Sequence, residues 1–189
     1  MLSPFGGRIL VNLVVGEHLS EDRVDVQLVH PTHILRRFGK ERDMTNEQKN
    51  MELMQTLDDA WNAQDIETFR ARHKPDVIVR WPGKTEPTVG IEDHTQESID
   101  FWKTFPDQKL DNRPYRVFFA SGNWTCSVAR FTGTMKGPMK GDDGREIPAT
   151  GKSFEIDFYT VALWDNGQIV EENLMYDLVT FMTQIGLND

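Results

Sequence analysis

The chain has 189 residues, of which 38% are hydrophobic, including 11 phenylalanines and five tryptophans, so it can bury a core and is not an intrinsically disordered chain. Its formal net charge of -9 and isoelectric point of about 5.0 argue against a nucleic-acid-binding surface, which requires a basic patch. The single cysteine, Cys126, excludes an internal disulfide and a cysteine-rich metal site, and no apolar run approaches the roughly 20 residues of a membrane-spanning helix.

Residues 1–43 differ in character from the rest and are predicted to form an N-terminal extension, either two short strands or a poorly ordered arm. The apolar run Ile9–Val15 lacks a small-residue cleavage site, so the sequence favours a cytoplasmic protein over an exported one. His30 and His33 resemble a metal-binding pair but have no partners at ligand spacing, so no metal site is predicted. Met44 is an alternative initiator methionine, and translation from it would make residues 1–43 an artefact of the assigned start site.

Residues 44–189 are predicted to form the domain, and its first part is helical. Thr45 and Gln48 form a capping box at the start of the first helix, which carries an apolar stripe of Met51, Met54, Leu57 and Trp61. Asp65 caps a second helix that ends before Pro75. A third helix is predicted from Ile91 to about Thr104.

Strands dominate the rest of the domain. One early strand, Val77–Trp81, precedes the third helix, and four later strands form two antiparallel hairpins: Tyr115–Ala120 with Trp124–Met135, and Phe154–Trp164 with Ile169–Asp177. A short terminal helix, Leu178–Ile185, follows. Helices followed by antiparallel strands predict an α+β fold.

Asn166-Gly167 fixes the register of the closing hairpin, because a type I′ turn requires positive φ at both central residues. Asp165 then pairs with Gln168. The later pairs follow as Trp164 with Ile169, Ala162 with Glu171, Thr160 with Asn173, Phe158 with Met175, and Ile156 with Asp177. This register predicts that Asp177 lies on an apolar sheet face, where a carboxylate is either paired or functional. The alternative is that Asp177 caps the terminal helix.

Both faces of this hairpin are apolar. A single-layer sheet leaves one face in water, so we expect helices on one face and a second subunit on the other. A homodimer through the sheet is therefore predicted.

The domain resembles the SnoaL-like polyketide cyclases, also called ester cyclases, of the nuclear-transport-factor-2-like superfamily. The resemblance depends on motifs in the right order over Thr45 to Leu187: Trp61-Asn62-Ala63-Gln64-Asp65, Gly90-Ile91-Glu92-Asp93-His94, Phe105-Pro106-Asp107, Gly133-Thr134, Thr150-Gly151-Lys152, Gly167-Gln168-Ile169-Val170-Glu171-Glu172, Asp177 and Gln184-Ile185-Gly186. It implies a cone in which three N-terminal helices pack against a curved antiparallel sheet, with a ligand cavity between them.

The resemblance also implies a cofactor-free aldol closure in which Asp177 removes a proton next to a carbonyl group of a small, largely apolar ligand. Asn173, where many cyclases have tryptophan, and His94 are the predicted hydrogen-bond donors to the developing enolate. The alternative for His94 is an exposed helix histidine. The remaining predicted substrate contacts are Trp81, Trp102, Arg130, Phe158 and Met175.

Plain core packing is the alternative for the aromatic residues, and an outward position at the sheet edge is the alternative for Arg130. Dehydratase, isomerase or epoxide hydrolase chemistry on the same fold also fits the sequence, as does a non-catalytic small-molecule-binding or dimerisation module.

Overall fold

The computed structural model describes residues 44–141 and 144–188, and the predictions for residues 1–43 lie outside this range. The helices within it are α1 (Asn46–Ala63), α2 (Ile66–Ala71), α3 (Ile91–Thr104) and α4 (Leu178–Gln184). The strands are β1 (His73–Arg80), β2 (Thr88–Val89), β3 (Lys109–Asp111), β4 (Val117–Ser121), β5 (Trp124–Thr134), β6 (Met139–Lys140), β7 (Glu146–Ile147), β8 (Ser153–Asp165) and β9 (Gln168–Met175).

The first two helices begin at side-chain caps that the sequence predicted. The Gln48 backbone N–H donates to the Thr45 hydroxyl at 3.3 Å, and the Thr45 N–H donates to Gln48 Oε1 at 3.0 Å. The Asp65 carboxylate accepts from the backbone N–H groups of Glu67 and Thr68 at the start of α2. These caps satisfy donors that have no partner within the helix. None of the helices in the described ranges has the length and apolar character required to span a bilayer.

Seven strands form one curved, unclosed sheet in the order β2-β1-β9-β8-β5-β3, with β4 also paired to β5. This arrangement confirms the predicted α+β fold. One pairing differs from the expected antiparallel sheet, because β1 runs parallel to β9. These two strands come from opposite ends of the domain, and no hairpin turn forces them to be antiparallel.

The closing hairpin between β8 and β9 turns at Asn166-Gly167, as predicted. Asn166 has φ 49° and Gly167 has φ 79°, which is the backbone conformation of a type I′ turn. Asp165 pairs with Gln168, and Trp164 pairs with Ile169. The first two predicted pairs are therefore confirmed.

Beyond these pairs, a β-bulge opposite Leu163 and Trp164 shifts the register by one residue. Ala162 pairs with Glu172 rather than Glu171, and Thr160 pairs with Leu174 rather than Asn173. A one-residue shift moves every later side chain of the strand to the other face. Glu172 and Leu174 therefore point to the helices and are buried, whereas Met175 is 46% exposed. The predicted inward position of Asn173 and Met175 is wrong for this reason.

The helices pack against one face of the sheet, and the other face is left uncovered in the described chain. The covered face holds buried apolar side chains from α1, α2, β1, β8 and β9, among them Met54, Leu57, Phe69, Val77, Val79, Ala162, Trp164, Ile169 and Leu174. The uncovered face carries exposed large apolar side chains at Val117, Phe119, Trp124, Tyr159 and Met175. The sequence-based expectation of two apolar faces agrees with this arrangement.

Candidate functional site

A small cavity lies between the helices and the covered face of the sheet. Its volume is about 30 Å³, which is enough for one or two water molecules. Most of its lining is apolar or aromatic: Leu57, Trp61, Phe69, Trp81, Leu110, Phe131, Phe158 and Leu174. Four other lining side chains, Asp58, His94, Thr160 and Glu172, carry polar groups. An apolar cavity with a few convergent polar groups is the usual form of a small-molecule site.

Glu172 and two histidines form a buried cluster at one side of this cavity. His94 Nε2 lies 3.4 Å from Glu172 Oε2, and His73 Nε2 lies 3.7 Å from the same oxygen. The two imidazole rings are in edge contact, with centroids 5.1 Å apart, and both pack against Phe69. The three residues come from β1, α3 and β9, so the cluster joins separate parts of the fold at a single carboxylate.

The electrostatics of the cluster favour a negative Glu172 and a positive His94. Burial alone would raise the pKa of Glu172, but the two adjacent imidazoles outweigh this effect and lower the pKa to about 2. Burial would likewise lower the pKa of His94, but Glu172 and Glu97 raise it above its ordinary value. The two partners therefore shift in opposite directions, as expected for a buried charge pair.

Glu97 supports this pair from the α3 side of the site. Its Oε2 lies 3.7 Å from His94 Nδ1 and accepts a hydrogen bond from Trp81 Nε1 at 2.9 Å. Its other oxygen accepts from the hydroxyl of Thr88 and from Lys84. Burial would raise the pKa of Glu97, but its contacts with His94, Lys84 and Thr88 lower it to about 2. Glu97 thus fixes Trp81 beside the cavity and holds a negative charge near His94.

Asp58 presents a second carboxyl group to the cavity from helix α1. The Tyr115 hydroxyl donates to Asp58 Oδ2 at 2.7 Å. Burial raises the pKa of Asp58 to about 7, against the opposing effect of this hydrogen bond, and the negative charge of Glu172 raises it further. A carboxyl group with a pKa near 7 can both accept and donate a proton at neutral pH.

Among the sequence-predicted site residues, three line the cavity: His94, Trp81 and Phe158. Trp102 is buried behind it, with its ring 5.2 Å from that of Trp61. Arg130 extends from the uncovered face and forms ion pairs with Asp111 and Glu155. Both residues therefore follow the alternative that was predicted for them from the sequence: Trp102 packs in the core, and Arg130 points outward from the sheet.

Asp177 does not reach the cavity, and its predicted place on the apolar sheet face is wrong. It follows the end of β9, is exposed, and serves as the N-cap of α4. Its Oδ1 accepts from the Thr180 N–H at 3.0 Å, and its Oδ2 accepts from the Thr180 hydroxyl at 2.7 Å. These hydrogen bonds lower the pKa of Asp177. Asn173 also lies away from the cavity, where its amide donates to the Val161 carbonyl and to Glu171.

Three polar residues of the site were not predicted: Asp58, His73 and Glu172. Asp58 has a sequence signal, because it follows Leu57 and shares the helical stripe of Met54 and Trp61, where a charged residue is unexpected. Glu172 has no such signal in the sequence, because no glycine or proline marks the bulge that turns its side chain inward. The sequence allowed the second helix to continue as far as His73, before Pro75, but His73 begins strand β1 instead.

Comparisons with known proteins agree with the fold. A model of the SnoaL-like polyketide cyclase family matches residues 51–185. No curated protein sequence matches the chain significantly.

Solved structures resemble the fold over most of the chain. A protein from Jannaschia sp. CCS1 assigned as a SnoaL-like polyketide cyclase is 23% identical with a TM-score of 0.67, covering 77% of this chain and 97% of that one. IdmH of Streptomyces antibioticus, assigned as a polyketide cyclase, is 23% identical with a TM-score of 0.61, covering 72% and 98%. A protein of Kribbella flavida DSM 17836 assigned as a ketosteroid isomerase is 15% identical with a TM-score of 0.53, covering 71% and 82%. At these identities, the likeness establishes the fold.

Proposed function

Because this chain belongs to the SnoaL-like polyketide cyclase family, we propose that it is an enzyme that moves a proton on a small, largely apolar, carbonyl-bearing molecule. The observation that carries this proposal is the convergence of Asp58, His94 and Glu172 on one apolar cavity. A carboxyl group with a pKa of about 7 and an imidazole whose pKa is raised by Glu172 and Glu97 are suited to act as base and acid near neutral pH.

Asp58 is the base in this mechanism, in place of the predicted Asp177. Its carboxylate removes a proton from the carbon next to the carbonyl group, and the electron pair of the C–H bond moves to give an enolate. Tyr115 donates to Asp58 and holds the carboxyl group in place. The apolar surroundings make the carboxylate a stronger base than it is in water.

His94 acts on the oxygen side of the substrate. An N–H of its imidazolium stabilises the negative charge that develops on the enolate oxygen, and Glu172 stabilises the imidazolium. In an aldol closure, the enolate carbon then attacks a second carbonyl of the same molecule, and the resulting alkoxide takes up the proton that Asp58 removed. Proton transfer without ring closure would make the enzyme an isomerase, and loss of the new hydroxyl group would make it a dehydratase.

The size of the cavity sets a condition on this mechanism. A volume of about 30 Å³ does not hold a carbonyl compound of several carbons, so lining side chains have to move when the substrate enters. Trp81 is the side chain that we propose moves. It is partly exposed, and a single hydrogen bond to Glu97 holds it over the site.

Exchange of carbon-bound protons in heavy water tests the proposed function without knowledge of the substrate. Wild-type protein is incubated with a panel of small ketones and 1,3-dicarbonyl compounds, and deuterium incorporation next to the carbonyl group is followed by NMR. We expect exchange with at least one apolar member, and a loss of about 100-fold or more in Asp58→Asn. Exchange at the buffer rate throughout the panel would contradict the proposal.

A non-catalytic binding module is the second candidate function. The ion pair between Glu172 and His94 favours it, because a carboxylate and an imidazole that neutralise each other are less available as base and acid. Mass spectrometry of small molecules that co-purify with the protein distinguishes the two. A molecule recovered unchanged, together with no proton exchange, would support the binding module.

We also propose that the chain forms a homodimer through the uncovered face of the sheet. Phe119 lies on β4 and is 54% exposed, next to Cys126 of β5 and two strands from Val161 of β8. Exposed apolar area on a sheet face is typical of a protein–protein interface. A location in the cytoplasm stays a prediction from the sequence.

A further inference from the structure

The buried cluster of His73, His94 and Glu172 contains more nitrogen atoms than it has hydrogen-bond partners for. His73 Nε2, His94 Nδ1 and His94 Nε2 are buried, and none of them makes a hydrogen bond. The contacts of 3.4 and 3.7 Å to Glu172 are too long or too poorly aligned to be hydrogen bonds. Buried polar atoms without partners are uncommon in native proteins, and each one calls for an explanation.

The His73 ring shows which of its nitrogens is available. Its Nδ1 lies 2.7 Å from the backbone carbonyl of Phe69, which can only accept, so Nδ1 carries the hydrogen and donates it. In the neutral ring, the lone pair then sits on Nε2 and faces the negative oxygen of Glu172. Two electron-rich atoms repel each other unless a proton or a metal cation lies between them.

The spacing of the three atoms is close to that of metal ligands. His73, His94 and Glu172 each offer one ligand atom, and these atoms all lie within 4.8 Å of one another. Ligand atoms about 2.1 Å from a tetrahedral ion are about 3.4 Å apart. The distance from His94 Nε2 to Glu172 Oε2 already has this value, and the distance from His73 Nε2 to the same oxygen exceeds it by about 0.3 Å. The bound of 4.8 Å on all separations means that the two imidazoles close on an ion with a relative movement of no more than about 1.4 Å.

The surroundings of the cluster also match those of a metal site. Metal-binding histidines usually donate their second ring N–H to a carbonyl or carboxylate oxygen. His73 does so to Phe69, and His94 Nδ1 lies 3.7 Å from Glu97 Oε2, close enough for a small side-chain movement to complete the hydrogen bond. Two imidazoles with one carboxylate are a common donor set for zinc and for other divalent first-row transition metals.

We propose that His73, His94 and Glu172 bind one divalent transition-metal ion, with an open coordination position that faces the cavity. Three protein ligands and one open position are the arrangement of catalytic rather than structural zinc sites. The inference goes beyond the proposed function and does not depend on Asp58. With an ion bound, His94 Nε2 would be a ligand and no longer a donor, and the ion would supply, in place of the His94 N–H, the positive charge that polarises the carbonyl oxygen.

Zinc binding by tag-free protein tests this proposal directly. The full chain is stripped with a chelator, loaded with Zn²⁺, passed over a desalting column and analysed for metal content, and the affinity is measured by calorimetry. We expect about one ion per chain in the wild type and an affinity more than about 100-fold lower in Glu172→Gln. Glu171→Gln, which changes the neighbouring carboxylate on the uncovered face, is the matched control and keeps wild-type affinity.

Two further measurements keep the result unambiguous. The double variant His30→Ala/His33→Ala removes the other histidine pair and should bind zinc as the wild type does. If Glu172→Gln does not fold, the visible spectrum of Co²⁺-loaded wild type replaces it and should show a four- or five-coordinate centre. The proposal is overturned by much less than one ion per wild-type chain, by equal binding in Glu172→Gln, by loss of binding in the double variant, or by a six-coordinate cobalt spectrum.

Discussion

His94 Nε2 on helix α3 lies 3.4 Å from Glu172 Oε2 on strand β9, and the side chains of both residues are almost fully buried, at 2% and 6% exposure. This contact joins the helical layer to the sheet at the wall of the cavity. Because both groups are shielded from bulk solvent, each depends on the other for the stability of its charge. Removing one partner leaves an uncompensated charge in an apolar site.

Glu172→Gln is therefore expected to destabilise the fold. The substitution keeps the size of the side chain but removes the negative charge opposite His94, at a cost on the order of 3 kcal/mol in the free energy of unfolding. Glu171→Gln breaks only a partly exposed ion pair with Arg80 and should stay within about 0.5 kcal/mol of the wild type. Urea denaturation of both variants measures the difference, and equal effects would show that the Glu172 pair is not a stabilising contact.

Asp58 should make stability depend on pH. Its pKa is about 7 in the fold against an ordinary value of 3.8, so folding favours the protonated form. This contribution is complete below pH 4 and is lost as the pH rises to 7, at about 1.4 kcal/mol per pH unit.

Asp58→Asn removes this dependence and keeps an acceptor for Tyr115. The unfolding free energy of the variant, relative to that of the wild type, should increase between pH 4 and 7. Above pH 7 the difference between the two proteins should stay constant. Denaturation curves at several pH values test this expectation. A difference that stays constant over the whole range contradicts the raised pKa.

Asp177 should act on stability through the helix cap. Asp177→Ala removes both hydrogen bonds to Thr180 and is expected to lower the unfolding free energy by about 1 kcal/mol. Asp177→Asn keeps an oxygen that can accept the Thr180 N–H, and asparagine caps helices about as well as aspartate. Thermal denaturation should rank the wild type and Asp177→Asn together, above Asp177→Ala. A reversed order would mean that Asp177 does not cap α4 in solution.

The uncovered sheet face should control oligomeric state. Phe119→Glu places a charge within the exposed apolar group, so we expect a dimer for the wild type and a monomer for the variant. Glu155→Gln, at the edge of the same face, is the control and should stay dimeric. Sedimentation velocity at micromolar concentration measures all three proteins. A monomeric wild type would contradict the proposed dimer.

The sequence predicted most of the fold because its local signals are strong. The Thr45 capping box, the Asp65 cap and the Asn166-Gly167 turn each depend on residues close together in the chain. The motifs in their order identified the family, and His94 lies on the helix where it was expected.

The site was harder to predict, because its geometry depends on the bulge in β9. That bulge turns Glu172 inward and Asn173 outward, and no glycine or proline in the sequence marks its position. Asp177 stood out in the sequence as a carboxylate after an apolar strand, but the strand ends two residues before it. The register that placed Asp177 on the sheet face therefore did not extend to it.

The central claim is that Asp58 moves the proton inside the cavity. The competing hypothesis is that Asp177 is the base, and substituting each of the two carboxylates in turn distinguishes them. The rate of deuterium exchange into the most reactive carbonyl compound is measured for wild type, Asp58→Asn and Asp177→Asn under the same conditions. We predict a loss of about 100-fold or more in Asp58→Asn and a rate within about twofold of wild type in Asp177→Asn. Full activity in Asp58→Asn with loss in Asp177→Asn would contradict the account and return the role of base to Asp177.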